Sequence, residues 1–396
     1  MKSVELFAGA GGLALGVAFA GFTHEAVIEW DKWACDTIRE NQLRQNPLVA
    51  DWPLYEQDVR SFDFSSLHDI DLVAGGPPCQ PFSLGGKHKA HSDKRDMFPT
   101  TIDVVRCLKP KAFLVENVKG LTRASFANYL QYTILQLSYP ELTRYPNESW
   151  SEHFSRLEEE KTSGRVDGVT YDVVFRVVNA ADYGIPQRRE RVFIVGFRHD
   201  LGVRWSFPEP SHSLESLLYS QWVNGEYWER HKINGSKNYI LSEKLKKNIE
   251  KMKCVTEKPS KKPWITVRDA LQGIPEPHKG DSFYSNHIFQ PGAKIYAGHT
   301  GSPLDLPAKT LKAGGHGVPG GENMLVMPDG SVRYFTVRES ARLQTFPDTY
   351  VFHGSWTETM RQLGNAVPVA LARLMAGSVA EKLLEAESRR LERIVQ

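Results

Sequence analysis

The chain has 396 residues, 41% of them hydrophobic and 24% charged, with a formal net charge of +2. That length allows two domains around real cores, and the balance is that of an ordinary globular protein rather than a disordered or fibrous one. Its four cysteines (Cys35, Cys79, Cys107, Cys254) lack metal-ligand spacing, so a disulfide framework and a zinc site are both disfavoured, and free thiols in a reducing cytoplasm are expected.

The N-terminus, MKSVELFAGAGG, enters a strand at once and is not patterned as a signal peptide. Strands are expected at 2–7, 24–29, 69–74, 111–116, 171–178 and 191–197. Helices are expected near 12–20, 31–44, 97–108 and 124–137. Apolar runs alternating with amphipathic stretches predict an α/β fold: a Rossmann-like, mostly parallel sheet with helices on both faces. Residues 139–168 are polar and read as an irregular surface insertion. Beyond about 200 the periodicity fades and Pro, Gly, Ser, Trp and Lys rise, which predicts a smaller, loop-rich unit. Helical periodicity returns at 367–393, with an apolar stripe that needs a surface, expected to be the first domain's sheet. No stretch has the roughly 18 consecutive apolar residues of a membrane helix.

FAGAGG (7–12) lies between the first strand and the first helix. Gly9, Gly11 and Gly12 let a ligand approach the backbone at a helix N-terminus. The spacing is neither GxGxxG nor a Walker loop. Strand two ends in Glu29, Trp30 and Asp31, where a carboxylate can accept from ribose hydroxyls and an indole can lie on a purine. Asp58, after a turn at EQDV (56–59), is placed to accept from an adenine amine. These groups outline a nucleoside pocket without a phosphate cradle, which suits S-adenosylmethionine better than NAD or ATP.

Residues 75–83 read GGPPCQPFS. Pro77 and Pro78 remove donors and fix φ, so neither a helix nor a strand ladder runs through Cys79. A thiol on a loop beyond a strand end lies where open α/β sheets have their clefts. Basic residues follow: Lys87, Lys89, Lys94 and Arg95, then eleven Lys/Arg against four acids over 228–262. Two such clusters, one abutting the thiol, point to a polyanionic substrate, and nucleic acid above all.

Together these stretches resemble the DNA (cytosine-5) methyltransferases of bacterial restriction–modification type. FAGAGG resembles the family's first motif, GGPPCQPFS the fourth, ENVKGL (116–121) the sixth, QRRERVFIVG (187–196) the eighth, RESARLQTFPD (338–348) the ninth and GNAVPVALA (364–372) the tenth. They stand in family order and span 7–372. The resemblance implies methyl transfer from S-adenosyl-L-methionine, leaving S-adenosyl-L-homocysteine, to C5 of a cytosine flipped out of duplex DNA. It implies that Cys79 adds to C6, because C5 is a poor nucleophile until a thiolate makes it enamine-like. Glu116 is then expected at N3 and the exocyclic amine, protonated through a raised pKa. Arg191 is expected at O2, and Arg189 on Glu116, the loop or the backbone. Asn117 and Val118 are expected to position Glu116. Phe7, Gly9, Gly11, Gly12, Leu13, Glu29, Trp30, Asp58, Val59 and Pro78 fall where the family holds the cofactor, and Asn365 and Val367 return from the C-terminus to complete that pocket. DNA contacts are expected from Gln80, Ser83, Lys87, Lys89, Asn117, Val118, Gln187 and the Thr310–Leu311 pair, with 82–98 as a mobile loop that closes over the DNA. No metal is expected.

The domain reading is 1–205 for catalysis and cofactor, 206–345 for target recognition with a hinge, and 346–396 returning to the first domain. A cytoplasmic enzyme acting on double-stranded DNA follows. It needs neither a membrane nor an obligate protein partner, and a cognate restriction endonuclease encoded nearby is possible. The competing readings are a tRNA cytosine-5 methyltransferase, which the roughly 130-residue recognition region disfavours, and an inactive DNA-binding relative, which the intact motifs disfavour.

Overall fold

A computed structural model describes residues 1–78, 96–164, 168–233, 242–278, 284–296, 300–313 and 323–395. Two compact units divide the chain. Met1–Val178, Glu190–Pro208 and Ala372–Gln396 make the first; Asn179–Arg189 and Glu209–Leu371 make the second. The second unit therefore takes in 179–189 and runs past 345 to Leu371, unlike the division expected from composition. Texture marks where apolar periodicity fades, but not which core a short segment joins.

In the first unit, β1 (Lys2–Leu6), β2 (Thr23–Glu29), β3 (Leu54–Glu56), β4 (Leu72–Gly75), β5 (Ala112–Val118) and β6 (Tyr171–Asn179) are followed by a two-residue β7 (Gln187–Arg188) of the second unit, then by β8 (Glu190–Arg198). The sheet order is β3-β2-β1-β4-β5-β8-β6. β1 pairs parallel with β2 and β4, β2 with β3 and β4 with β5, while β5 and β8 are antiparallel. Helices α1 (Gly12–Phe19), α2 (Lys32–Leu43), α3 (Phe98–Leu108) and α4 (Ala127–Ser138) follow the strands as expected.

Side chains alternate between the faces of the sheet. Val4 and Leu6 pack in one cluster with Phe98 and Ile102 of α3 and Leu130 of α4. Val27 turns the other way and meets Ile38 of α2. Helices thus cover both faces, which is why the strands read as nearly continuous apolar runs.

Residues 139–168 are not irregular throughout. They contain α5 (Trp150–Ser163), opened by a reciprocal capping box between Ser149 and Glu152. Its Leu157 is buried with Tyr132 and Leu135 of α4, and Trp150 and Phe154 pack beside them.

The second unit is built from short pieces. They are α6 (Leu214–Trp222), α7 (Glu226–Arg230), α8 (Glu243–Lys253), α9 (Val267–Ala270), α10 (Val337–Leu343) and α11 (Trp356–Asn365), with β9 (His212–Ser213), β10 (Lys262–Pro263), β11 (Ser302–Pro303), β12 (Ala308–Lys309), β13 (Met324–Val326) and β14 (Val332–Tyr334). Val267, Ala308, Leu311, Leu325, Phe335 and Leu343 form a core there. The last helix, α12 (Val369–Val395), returns the chain to the first unit. Its Ala372, Met375, Ala376 and Val379 are fully buried. The close approach is to α1: a Cβ added at Gly16 would lie 2.3 Å from the Ala372 Cβ.

Candidate active site

The strand order reverses at β1, whose neighbours are β2 and β4. In open α/β sheets ligands gather outside the carboxyl ends of strands at such a switch point. Residues 7–12 leave β1 there, and 76–78 leave β4 beside them.

On the β1 side the chain turns sharply. Phe7, Gly9 and Gly11 have φ of 56°, 54° and 87°. The left-handed conformation is costly for phenylalanine, and such strain gathers at ligand sites. Above Gly9 there is open space, with no atom within 4 Å of an added Cβ. Gly11 caps α1 without a side-chain bond to the helix amides. The Glu29 carboxylate accepts from the Gly9, Trp30 and Asp31 amides, each at 2.7 Å. Burial raises its pKa, and those amides oppose the rise. Glu29 therefore ties the glycine loop to the end of β2. The next residue, Trp30, is 67% exposed and presents its indole at that edge.

Asp58 caps the turn at Val59–Ser61 and pairs with Arg60, which lowers its pKa. Val59 and Leu13 are buried, and Pro78 is exposed. An open glycine loop, an uncapped helix end, a bridging carboxylate and an exposed indole form a donor set that fits a nucleoside bearing an amino acid.

On the β4–β5 side the geometry is tighter. The Asn117 Nδ2 donates to the Pro77 carbonyl at 3.1 Å, and its Oδ1 accepts from the Val118 amide at 2.8 Å. Asn117 is 2% exposed, so the last turn before Cys79 is held from inside. Because β8 runs antiparallel to β5, its first residues arrive at the same edge, with Arg191 opposite Val118. The diagonal neighbour is Glu116, and Arg191 Nε lies 2.8 Å from its Oε1. A Cβ added at Gly76 would sit 3.2 Å from Glu116 Oε2. Glu116, Asn117, Arg191 and the backbone of 76–78 thus form one cluster. Cys79, Gln80, Ser83, Lys87 and Lys89, with most of the 82–98 loop, lie outside the described residues.

Several expected contacts have other partners. Arg189, expected in the chemistry, is fully buried in the second unit. Of its three expected partners it takes the backbone, donating to the Leu311 and Gly364 carbonyls at 3.2 and 2.8 Å. Gln187, expected on DNA, is also fully buried, donating to Gln344 Oε1 at 3.1 Å and accepting from the Leu311 amide at 3.0 Å. Leu311 is a core side chain at 1% exposure, and the Thr310 hydroxyl donates to the Arg188 carbonyl at 2.7 Å. A short polar motif states which groups are present, and burial decides which of them reach a ligand. Asn365 is exposed at the end of α11 and Val367 is buried, both in the second unit. On α8, Lys246 and Lys253 pair with Glu243 and Glu250, while Lys244, Lys247 and Lys251 are exposed.

Sequence reasoning passed over Glu5. It lies in β1, fully buried, and neither carboxyl oxygen has a hydrogen-bond partner among the described residues. Burial pushes its pKa well up. The signal was an acidic residue between Val4 and Leu6 in the central strand.

The sheet order and the switch-point loop define an S-adenosylmethionine-dependent, Rossmann-like methyltransferase fold. The C-5 cytosine-specific DNA methylase family model matches residues 1–140 and 158–381, and the chain belongs to that family. It is a DNA (cytosine-5) methyltransferase; family and fold imply S-adenosylmethionine as cofactor and DNA as substrate. The type II methyltransferase M.PspPI of Psychrobacter sp. (strain TA137) is 32% identical over 390 residues, covering 97% of this chain and 79% of that one. M.NgoMIV of Neisseria gonorrhoeae is 29% identical over 385 residues, covering 96% and 97%. Among solved structures, a DNA modification methyltransferase encoded within an E. coli prophage aligns with a TM-score of 0.58 at 21% identity, over 97% of this chain and 99% of that one. S. pombe Dnmt2 aligns at 0.54 and 17%, over 97% and 99%. At these identities the two structures speak to the fold.

Proposed function

We propose that the chain methylates C5 of a flipped-out cytosine within a specific duplex sequence, through a bond between the Cys79 sulfur and cytosine C6. The observation that carries this reading is the Glu116–Arg191 pair beside Gly76, three residues before the thiol. A carboxyl and a guanidinium side by side match the edge of a cytosine, with N3 and the amine for one and O2 for the other.

As the thiolate adds to C6, the electrons of the C5–C6 double bond move toward C5, and negative character spreads to N3 and O2. Arg191 meets it at O2, and Glu116, ionised beside Arg191 before the base docks, meets it at N3 once it has taken up a proton from solvent. Asn117 keeps the Pro77 carbonyl, and with it the approach to Cys79, in one place. Bound S-adenosylmethionine supplies an electrophilic methyl group and leaves as S-adenosylhomocysteine. Trp30 would lie on its adenine, Glu29 and Asp58 would face the nucleoside, and Phe7, Gly9, Gly11, Gly12, Leu13, Val59 and Pro78 would shape the rest. Loss of the C5 proton, with water as the acceptor, then lets the thiolate leave and restores the ring. Flipping the base costs a few kcal/mol of stacking and pairing. Lys87, Lys89 and Ser83 would meet that cost through phosphate contacts.

The relatives' printed name, type II methyltransferase, supports reading the chain as a modification enzyme; work in the bacterial cytoplasm is part of the same proposal. The experiment is transfer of labelled methyl groups from S-adenosylmethionine to duplex DNA and to tRNA. Label in DNA alone, at C5 of cytosine, is expected. Label confined to tRNA, or absent from both, would refute the reading.

A further inference from the structure

The seven-stranded sheet ends on β6, the outermost strand beyond β8. The His199 amide donates to the Thr170 carbonyl and the Ala180 amide to the Arg189 carbonyl, each at 2.9 Å. β6 and β8 therefore run antiparallel, and the stretches between these two bonds are equally long, so no bulge breaks the ladder. Even positions of β6 turn their N–H and C=O groups to β8. Tyr171, Val173, Phe175 and Val177 turn theirs to the open edge.

β6 reads YDVVFRVVN. It has neither proline nor lysine, the residues that most often blunt a free edge. Tyr171, Val173 and Val177 pack in the core on one face of the sheet. Phe175 shares their parity yet is 45% exposed. Asp172, Val174 and Arg176 stand on the opposite face and are exposed. The Arg176 guanidinium lies 5.2 Å from the centre of the Phe207 ring, and Asp172 meets the exposed His199 imidazole at 3.1 Å.

A long apolar edge is a template for another strand, and the charges on this one say which. A second β6 related by a two-fold axis pairs antiparallel with the first. To join the free groups of odd positions, the axis must pass through a residue rather than between two. Placed at Val174, it sets Asp172 opposite Arg176 of the second copy, and Arg176 opposite its Asp172. On the other face Phe175 meets Val173, which covers the exposed ring, and Tyr171 meets Val177. Moved one residue either way, the axis sets both charges opposite valine or threonine. One register alone among these three joins the edge and pairs its charges, twice over.

We propose that β6 is a docking edge for a second copy of this chain, the two strands pairing antiparallel about Val174 so that two sheets become one. The proposal is independent of the reaction assigned above. A contact one strand long falls below the roughly 1,200 Å² of standard complexes, so the dimer is weak, with a Kd of about 10–100 μM.

The test is sedimentation equilibrium of the full chain from about 5 to about 300 μM, a range that brackets that Kd. Monomer is expected at the dilute end and dimer at the other. Asp172→Arg turns two attractive cross-strand pairs into two repulsive ones and should weaken the dimer at least about tenfold. Adding Arg176→Asp to it should restore the affinity to within about threefold, because the charges again alternate. The register has its own readout. Val174→Cys sets two thiols at a non-hydrogen-bonded pair, where Cα atoms approach to about 4.5 Å, within reach of a disulfide. With oxidised glutathione as oxidant it should give a covalent dimer whose linked peptides join position 174 of both copies, and Phe175→Cys should give none through position 175. Monomer at every concentration, an affinity that Asp172→Arg leaves unchanged, or a link through 175 in place of 174 would overturn the proposal.

Discussion

Glu116→Gln tests the carboxyl–guanidinium pair, because it keeps the shape and removes the charge. The pair stands at 2.8 Å with side chains 9% and 13% exposed. At an effective dielectric of about 20, that separation corresponds to about 6 kcal/mol of gross attraction. Desolvation of both ions takes back much of it, which leaves a net coupling of about 2 kcal/mol. The assay is a double-mutant cycle in urea with Glu116→Gln, Arg191→Met and both together. The coupling should be about 2 kcal/mol, and the double variant more stable than the sum of the single losses implies. In parallel, Glu116→Gln should lose about a thousandfold in kcat, within the range for a positioned acid–base group. A coupling near zero would mean that the two charges do not meet. A kcat within a few-fold of the parent would remove Glu116 from the chemistry.

Trp30→Ala should weaken S-adenosylhomocysteine binding by calorimetry while DNA affinity stays nearly constant; the opposite order would take the exposed indole out of the adenosine site. Glu5 should make stability fall as pH rises. Its folded pKa lies above that of the unfolded chain, so the native state holds the extra proton between the two values. Glu5→Gln should therefore melt higher than the parent at pH 8, with the gap closing toward pH 4; a lower melting point at pH 8 would mean that a partner holds the charged carboxylate. Gly16→Ala forces α12 off α1, since the new Cβ would lie 2.6 Å from the Arg373 amide nitrogen. It should cost about 1–3 kcal/mol by calorimetry, and unchanged melting would refute the close approach.

Six strands and four helices of the first unit were legible because buried parallel strands are continuous apolar runs punctuated by glycine and proline. β3 was not, since three residues fall below any periodicity window. α5 was hidden by its polar face, although Ser149 and Glu152 carry the spacing of a capping box and were readable as a helix start. At the candidate site, the glycine loop, Glu29, Trp30, Glu116 and the Pro-Pro turn could be placed at one edge of the sheet because each stands in the last residues of a strand or just past its end. The roles of Gln187, Arg189 and Leu311 could not be found, because nothing local says that a polar run folds inward.

The account stands on the sulfur at position 79 bonding to an extruded cytosine. An oligonucleotide carrying 5-fluorocytosine at the target position cannot lose its C5 substituent as a proton, so the adduct should persist. Incubated with enzyme and S-adenosylmethionine, it should remain attached through denaturation, and peptide mass spectrometry should locate it on Cys79, with none formed by Cys79→Ser. An adduct on another residue, or none from enzyme that methylates ordinary duplex in the same preparation, would contradict the mechanism.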